Sequence, residues 1–171
     1  KGYTIIIYGT AEHEETRSTF SRAKKHGSAI IVENINDAQL LCDFIQGKTS
    51  KNEIENHFRL KCSDNFNITK DLMKVGVVNQ TTMLASDTQD IINLFTKTFK
   101  FIHNTNETSN YVANTRDTLC YATHENQEST LNLLEHNADL AIIVGGYNSS
   151  NTTHLVELAA QSTKTFFINS E

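Results

Sequence analysis

Several short stretches carry residue types whose company suits chemistry. Asp117-Thr-Leu-Cys120-Tyr-Ala-Thr123 sets a thiol just before an expected helix start. That setting favours thiolate, the form that binds metal or attacks, although the same thiol also reads as a small buried hydrophobe. Gly9-Thr-Ala-Glu-His13-Glu-Glu15 joins an imidazole to carboxylates, a combination able to bind phosphate and move protons. Taken alone, it reads first as an acidic helix N-terminus matched to the helix dipole. Asn79-Gln80-Thr81-Thr82 lines up amides and hydroxyls that suit a polar site, or an ordinary loop ahead of a Ser86 cap. Val144-Gly145-Gly146-Tyr-Asn-Ser149-Ser150-Asn151-Thr152 offers close backbone approach and a row of donors. This is a natural anion site at a helix N-terminus, or a well-capped helix start. It is not a Walker loop, because the Gly-Lys-Ser/Thr ending is absent.

The elements that must position these stretches alternate. Strands are predicted at Thr4–Tyr8, Ala29–Val32, Phe58–Cys62 (the weakest), Val75–Asn79, Leu140–Val144 and Thr165–Ile168. Between them, helices are expected over 12–26, ending at Gly27, and over Asp37–Gln46, capped by Asn36. Residues 48–57 read as loop or short helix. Further helices are expected after the Ser86 cap, with Ile91, Ile92, Phe95 and Phe99 on one face, from a Thr123 cap to about His136, and over Ser150–Gln161. Continuous apolar strands alternating with helices predict α/β architecture: parallel sheets with helices on both faces, in two tandem small domains. The polar stretch 104–118 is the expected linker, giving domains at 1–107 and 108–171. In open α/β sheets ligands sit beyond the carboxyl ends of strands, which is where the Gly9, Gln80 and Gly145 loops begin.

Composition narrows the function classes. At 171 residues the chain is long enough for a core without disulfide or metal support. A net charge of −5 with no basic run argues against a nucleic-acid partner. No apolar stretch approaches the roughly 20 residues needed to span a bilayer, so no membrane partner is expected. Three widely spaced cysteines are not a disulfide framework, which points to a reducing compartment. Cys42 and Cys62 read as structural, and His26, His57, His103, His136 and His154 lack ligand-like spacing. The chain opens at Lys1-Gly2-Tyr3 directly before a strand, as expected of a piece cut from something longer. It contains no proline, for which we have no physical account.

Gly76-Val-Val-Asn79-Gln80-Thr81-Thr82-Met-Leu-Ala-Ser-Asp-Thr88, the Cys120 stretch and the Gly145–Thr152 stretch running into Leu155 together resemble, in order and spacing, the motifs of the 4-hydroxy-3-methylbut-2-enyl diphosphate reductases, the LytB family. The resemblance extends along nearly the whole chain and is loosest over residues 10–70. It implies most of the second and third domains of a three-domain pseudo-symmetric enzyme built around a 4Fe–4S cluster. That enzyme reductively removes the substrate hydroxyl, giving isopentenyl and dimethylallyl diphosphates, with electrons from ferredoxin or flavodoxin. It works in the bacterial cytoplasm or in plastids.

By motif, the resemblance makes Cys120 a cluster ligand and Thr81 the threonine near the substrate hydroxyl. It makes Ser149, Ser150 and Asn151 diphosphate ligands and puts Gln80 among the substrate-binding residues. His13 and Glu15 match a diphosphate-holding histidine and a proton-delivering glutamate. Glu14 stands where the family has proline, adding negative charge beside an anion site. Only one cysteine here matches a cluster ligand, so the chain alone is expected neither to hold the cluster nor to turn over. The alternative is a cluster-free diphosphate-binding or scaffold module. A thiol hydrolase using Cys120 would need a positioned histidine base, and His124 lies only four residues on, on the following helix.

Overall fold

Runs of isoleucine and valine, with phenylalanine in the last, form the strands. The computed structural model describes residues 2–115 and 121–169 and divides into two units, Lys1–Leu119 and Cys120–Glu171.

In the first unit, β1 (Thr4–Tyr8) lies between β2 (Ala29–Val32) and β3 (Val75–Asn79), all parallel, with Ile6 opposite both Ile30 and Val77. Successive side chains of a strand face opposite sides, and both sides here are apolar. Ile6, Tyr8, Ile30, Val32, Val75 and Val77 meet α2 (Ile35–Ile45), α3 (Lys51–His57), α4 (Ile68–Asp71) and α5 (Ala85–His103). The centre of that core is Leu41, Ile91, Phe95 and Phe99, all buried. On the other side Ile7, Ala29 and Ile31 meet Phe20 and Ala23 of α1 (Glu14–Ala23). Parallel pairing brings all three carboxyl ends to one edge, so Gly9, Glu33 and Gln80 leave the sheet together.

Local capping decides where several helices begin. Asn34, not Asn36, caps α2: its side chain accepts from Asp37 N–H at 3.0 Å. Helix α5 starts at Ala85 after Leu84, with no side-chain cap. Ser86 lies inside its first turn, next to Asp87, whose carboxylate accepts from the Tyr8 hydroxyl at 3.0 Å. The expected strand Phe58–Cys62 is absent. Ser50 caps α3 by accepting from Glu53 N–H at 3.3 Å, and the helical spacing of Ile54 and Phe58 drives both into the core. Cys62 keeps a single antiparallel bridge to Ile30.

The stretch expected as linker begins where Asn104 ends α5 in the left-handed region, φ 46°. Beyond it the chain returns to the sheet. Val75 N–H donates to Tyr111 C=O at 2.8 Å and Ala113 N–H donates to Val75 C=O at 2.9 Å. Residues 111–113 thus cover the free edge of β3, and the first unit runs past the expected boundary at 107/108. Tyr111 also stacks on His103, ring centres 3.9 Å apart.

In the second unit β4 (Ala141–Val144) and β5 (Thr165–Ile168) pair in parallel, Ala141 opposite Thr165. Helix α7 (Ser150–Ala160) packs on this pair and α6 (Tyr121–Leu134) packs on α7. Thr123, expected as a cap, falls inside α6. Ile142, Val144, Phe166 and Ile168 alternate with the covered positions and are exposed. Among the described residues no helix is long and apolar enough to cross a membrane.

Candidate functional sites

At the carboxyl edge of the first sheet, a glycine lets two loops touch. A Cβ on Gly9 would fall 2.6 Å from Thr16 Oγ1 and 2.8 Å from Gln80 Cβ, too close for any other residue without movement. The Gln80 side chain fills the space so preserved. Its Oε1 accepts from Thr10 N–H at 3.1 Å and from the Thr16 hydroxyl at 2.9 Å, and its Nε2 donates to Thr82 Oγ1 at 2.7 Å. Gln80 is 3% exposed, so its side chain braces the β1 and β3 loops from behind.

On the outer side of this brace, His13 is the N-cap of α1, its Nδ1 accepting from Glu15 N–H at 3.3 Å. Glu15 is thereby fixed in the first turn, and its carboxylate reaches across to the β3 loop. Glu15 Oε1 accepts from Thr81 N–H at 2.9 Å, and Oε2 accepts from the Thr81 hydroxyl at 2.8 Å. Glu15 is half-buried and Thr81 exposed. A threonine that gives its proton to a carboxylate turns its oxygen lone pairs outward. A hydroxyl bound there could pass or receive a proton along a two-residue path.

The second site is the start of α7. A Cβ on Gly145 would sit 2.6 Å from Thr152 Oγ1 and 2.7 Å from Thr152 Cγ2, so this glycine allows β4 to run directly against the helix. Ser149 caps α7, accepting from Thr152 N–H at 3.3 Å. The first turn contains no acidic residue, leaving the positive helix end uncompensated. Asn151 Oδ1 is buried without a hydrogen-bond partner among the described residues. Backbone donors, a positive helix end and flanking Ser and Asn side chains together suit a phosphate group.

His13, Glu15, Gln80 and Thr81 therefore gather at one sheet edge, and Ser149, Ser150 and Asn151 at one helix start. Cys120, with Asp117–Leu119, lies outside the described residues. Among the described residues no group of three or more His, Cys, Asp or Glu could hold a metal ion. Cys42 is fully buried, its thiol pushed up to about 12 by desolvation. Burial also raises the Cys62 thiol. Neither stands in a group of three or more potential ligands among the described residues, so the described cysteines do not assemble a site for an iron–sulfur cluster.

Two contributors were missed in the sequence. Thr16 is buried in α1 against Gln80. Glu33, at the carboxyl end of β2, accepts from Ala11 N–H at 2.8 Å; its place just after a strand was the available signal.

The family model described as "LytB protein" matches residues 1–171. A protein of Crocosphaera subtropica named 4-hydroxy-3-methylbut-2-enyl diphosphate reductase is 40% identical over 161 residues, covering 94% of this chain and 39% of the relative. One of the same name from Gloeobacter violaceus is 38% identical over 159 residues, covering 93% and 37%. The chain thus spans about two-fifths of the length of these relatives. The solved structure of the E-1-hydroxy-2-methyl-but-2-enyl-4-diphosphate reductase from Plasmodium falciparum shares the fold, with TM-score 0.59 and 24% identity over 98% of this chain and 41% of that one. The chain belongs to the LytB family.

Proposed function

We propose that this chain supplies the proton-relay and diphosphate-holding residues of a 4-hydroxy-3-methylbut-2-enyl diphosphate reductase. The carrying observation is the double hydrogen bond from Thr81 to Glu15. Removing an allylic hydroxyl as water takes two electrons and two protons, giving the isopentenyl and dimethylallyl diphosphates. The Thr81 oxygen takes the substrate hydroxyl as hydrogen-bond partner; Glu15, after taking a proton from solvent, gives it to Thr81 Oγ1 as the Thr81 hydroxyl proton moves to the departing oxygen. His13 supports the diphosphate beside this pair. Ser149, Ser150 and Asn151 hold a diphosphate oxygen at the α7 N-terminus. Gln80 acts from behind, keeping Thr81 and the His13 loop in register.

Electrons would come from a 4Fe–4S cluster served by ferredoxin or flavodoxin, in a bacterial cytoplasm or a plastid. Such a cluster needs several thiolates, and Cys120 is the one residue here that matches a ligand motif. The other thiolates must come from outside this chain, which would by itself bind the diphosphate without turning it over. The poor fit of Cys42 and Cys62 supports the second reading, a cluster-free diphosphate-binding module.

A chimera separates the two. This sequence would replace the matching segment of the Crocosphaera subtropica relative, and the product would be assayed anaerobically with the allylic diphosphate. Turnover that is lost in Glu15→Gln supports the reductase reading. A folded chimera that binds the diphosphate and takes up its cluster, yet does not turn over, would leave only the binding module.

A further inference from the structure

We propose that Glu33 is a positioning residue for the His13–Glu15 site, setting the course of the loop that carries both side chains. The inference rests on reading that loop as the relay and diphosphate site. The loop leaves β1 at Gly9 and is held from both neighbouring strands. From the β3 side, Gln80 Oε1 takes Thr10 N–H at 3.1 Å. From the β2 side, Glu33 Oε1 takes Ala11 N–H at 2.8 Å. His13 N–H then closes the turn onto Thr10 C=O at 3.0 Å, and His13 caps α1 with Glu15 two residues on. Ala11 is thus a fixed point just before the residues that must meet Thr81.

Glu33 is itself held in place. Its Oε2 pairs with Lys61 Nζ at 2.5 Å. Lys61 also reaches Asp37 Oδ2 at 3.4 Å. Asp37 is 5% exposed, accepts Glu33's own N–H at 3.0 Å, and meets His57 Nε2 at 2.7 Å. Both the backbone and the carboxylate of Glu33 are therefore tied to one charged cluster. The Ala11 amide and then Lys61 hold the Glu33 carboxyl below its usual range, so it is an ionised acceptor at neutral pH. A hydrogen bond to a charged acceptor is the stronger kind.

The cluster lies on the outer side of the β1 loop, away from the Gln80 brace, and neither Glu33 nor Lys61 is part of the Glu15–Thr81 contact. Its hydrogen bond to the loop is made to the Ala11 backbone. This makes the role separable from catalysis itself.

Amide hydrogen exchange and the His13 imidazole signals, read by NMR on the 171-residue chain, test the anchor without any cluster or turnover. In Glu33→Ala, Ala11 exchange is expected to rise by about tenfold or more, as loss of a charged hydrogen bond implies, and the His13 signals to shift. Glu33→Gln keeps an acceptor oxygen and is expected to restore most of the Ala11 protection. Lys61→Met, which leaves Glu33 in place but loosens it, should give an intermediate exchange rate and serves if Glu33→Ala does not fold. In the chimera, Glu33→Ala should raise KM for the allylic diphosphate and lower kcat, with Glu33→Gln recovering most of both. Unchanged Ala11 exchange and His13 signals in folded Glu33→Ala or Lys61→Met would overturn the proposal. A wild-type chimera without turnover would instead count against the reductase reading, and the exchange data would still decide the anchor.

Discussion

Thr81 gives both of its hydrogen-bond donors to one carboxylate: the backbone N–H to Glu15 Oε1 at 2.9 Å and the hydroxyl to Oε2 at 2.8 Å. The two residues come from α1 and the β3 loop, so the contact forms only once the parallel sheet has aligned its carboxyl ends. Glu15→Gln keeps the shape and removes both the charge and one acceptor. Its effect on kcat in the chimera should be about 10²-fold or more, the usual scale of general acid–base work. Thr81→Val keeps the backbone bond and loses the hydroxyl, and should cost a comparable factor, while Thr81→Ser stays close to wild type. Equal kcat for Thr81→Val and Thr81→Ser would remove the hydroxyl from the relay.

Gly145 and Thr152 are matched in size. With a Cβ at position 145 only 2.6 Å from Thr152 Oγ1 and 2.7 Å from Cγ2, Gly145→Ala should destabilise the second unit by about 1–3 kcal/mol, the usual cost of overpacking. Thr152→Ala removes both clashing atoms. The double variant should therefore be more stable than Gly145→Ala alone, an interaction that urea unfolding of the set would measure. Simple additivity would mean that the helix shifts to absorb the methyl group.

At the start of α7, helix stability and anion binding should move in opposite directions. The first turn carries no acid, so Thr153→Asp, at an exposed position of that turn, adds a negative charge where the helix dipole favours one, worth about 0.3–1 kcal/mol. The same charge repels a diphosphate. Thermal melting should rise slightly while calorimetric affinity for the allylic diphosphate falls. If affinity is unchanged, the diphosphate does not sit at this helix end.

What was legible in the sequence follows from how far each signal reaches. Thr4–Tyr8 and Thr165–Ile168 are continuous β-branched or aromatic runs and Val75–Asn79 is rich in valine, and their bounds agree with the strands found. Helix α5 declared itself through Ile91, Ile92, Phe95 and Phe99. Caps were harder, because Asn34 and Asn36 are equally good candidates until one side chain meets an N–H. Phe58 was misplaced in a strand because its partner in spacing, Ile54, sits in a polar stretch whose helix depends on the Ser50 cap. At the site, the strand-end rule pointed to both loops, but nothing local shows that Gln80 turns inward while Thr81 meets Glu15. That choice depends on the gap left by Gly9 and on Thr16, a contact across 64 positions.

The cluster of Glu33, Asp37, Lys61 and His57 should govern the acid limb of stability. Desolvation opposes ionisation of Asp37, but the Glu33 N–H, His57 and Lys61 outweigh it, so its carboxyl is held below the ordinary range. The Glu33 carboxyl is lowered as well, by Ala11 N–H and Lys61. Groups with depressed folded-state values stabilise fully above the unfolded carboxylate range, about pH 4. That stabilisation is lost as pH falls through the folded values. Glu33→Gln should therefore lower stability near neutral pH and flatten its loss below about pH 4. Parallel pH profiles of the urea midpoint for the two proteins would show that the tie contributes nothing.

The cysteines should separate by reactivity. Cys42 is fully buried in the core between α2 and the sheet, its thiol pushed up to about 12 by desolvation. It should react with an alkylating probe only at the rate of unfolding, whatever the pH within the folded range. Cys62 is half-buried and its thiol is raised as well, so it should react slowly in the folded chain. Neither should yield a stable cluster when the chain is incubated anaerobically with iron and sulfide, because neither lies in a group of potential ligands among the described residues and Cys120 alone is too few ligands. Absorption and EPR spectra should show no stoichiometric 4Fe–4S signal. A stable cluster, still formed after Cys120→Ser, would mean that Cys42 or Cys62 is drawn out of its place to bind iron. The reading of both as structural residues would then fail.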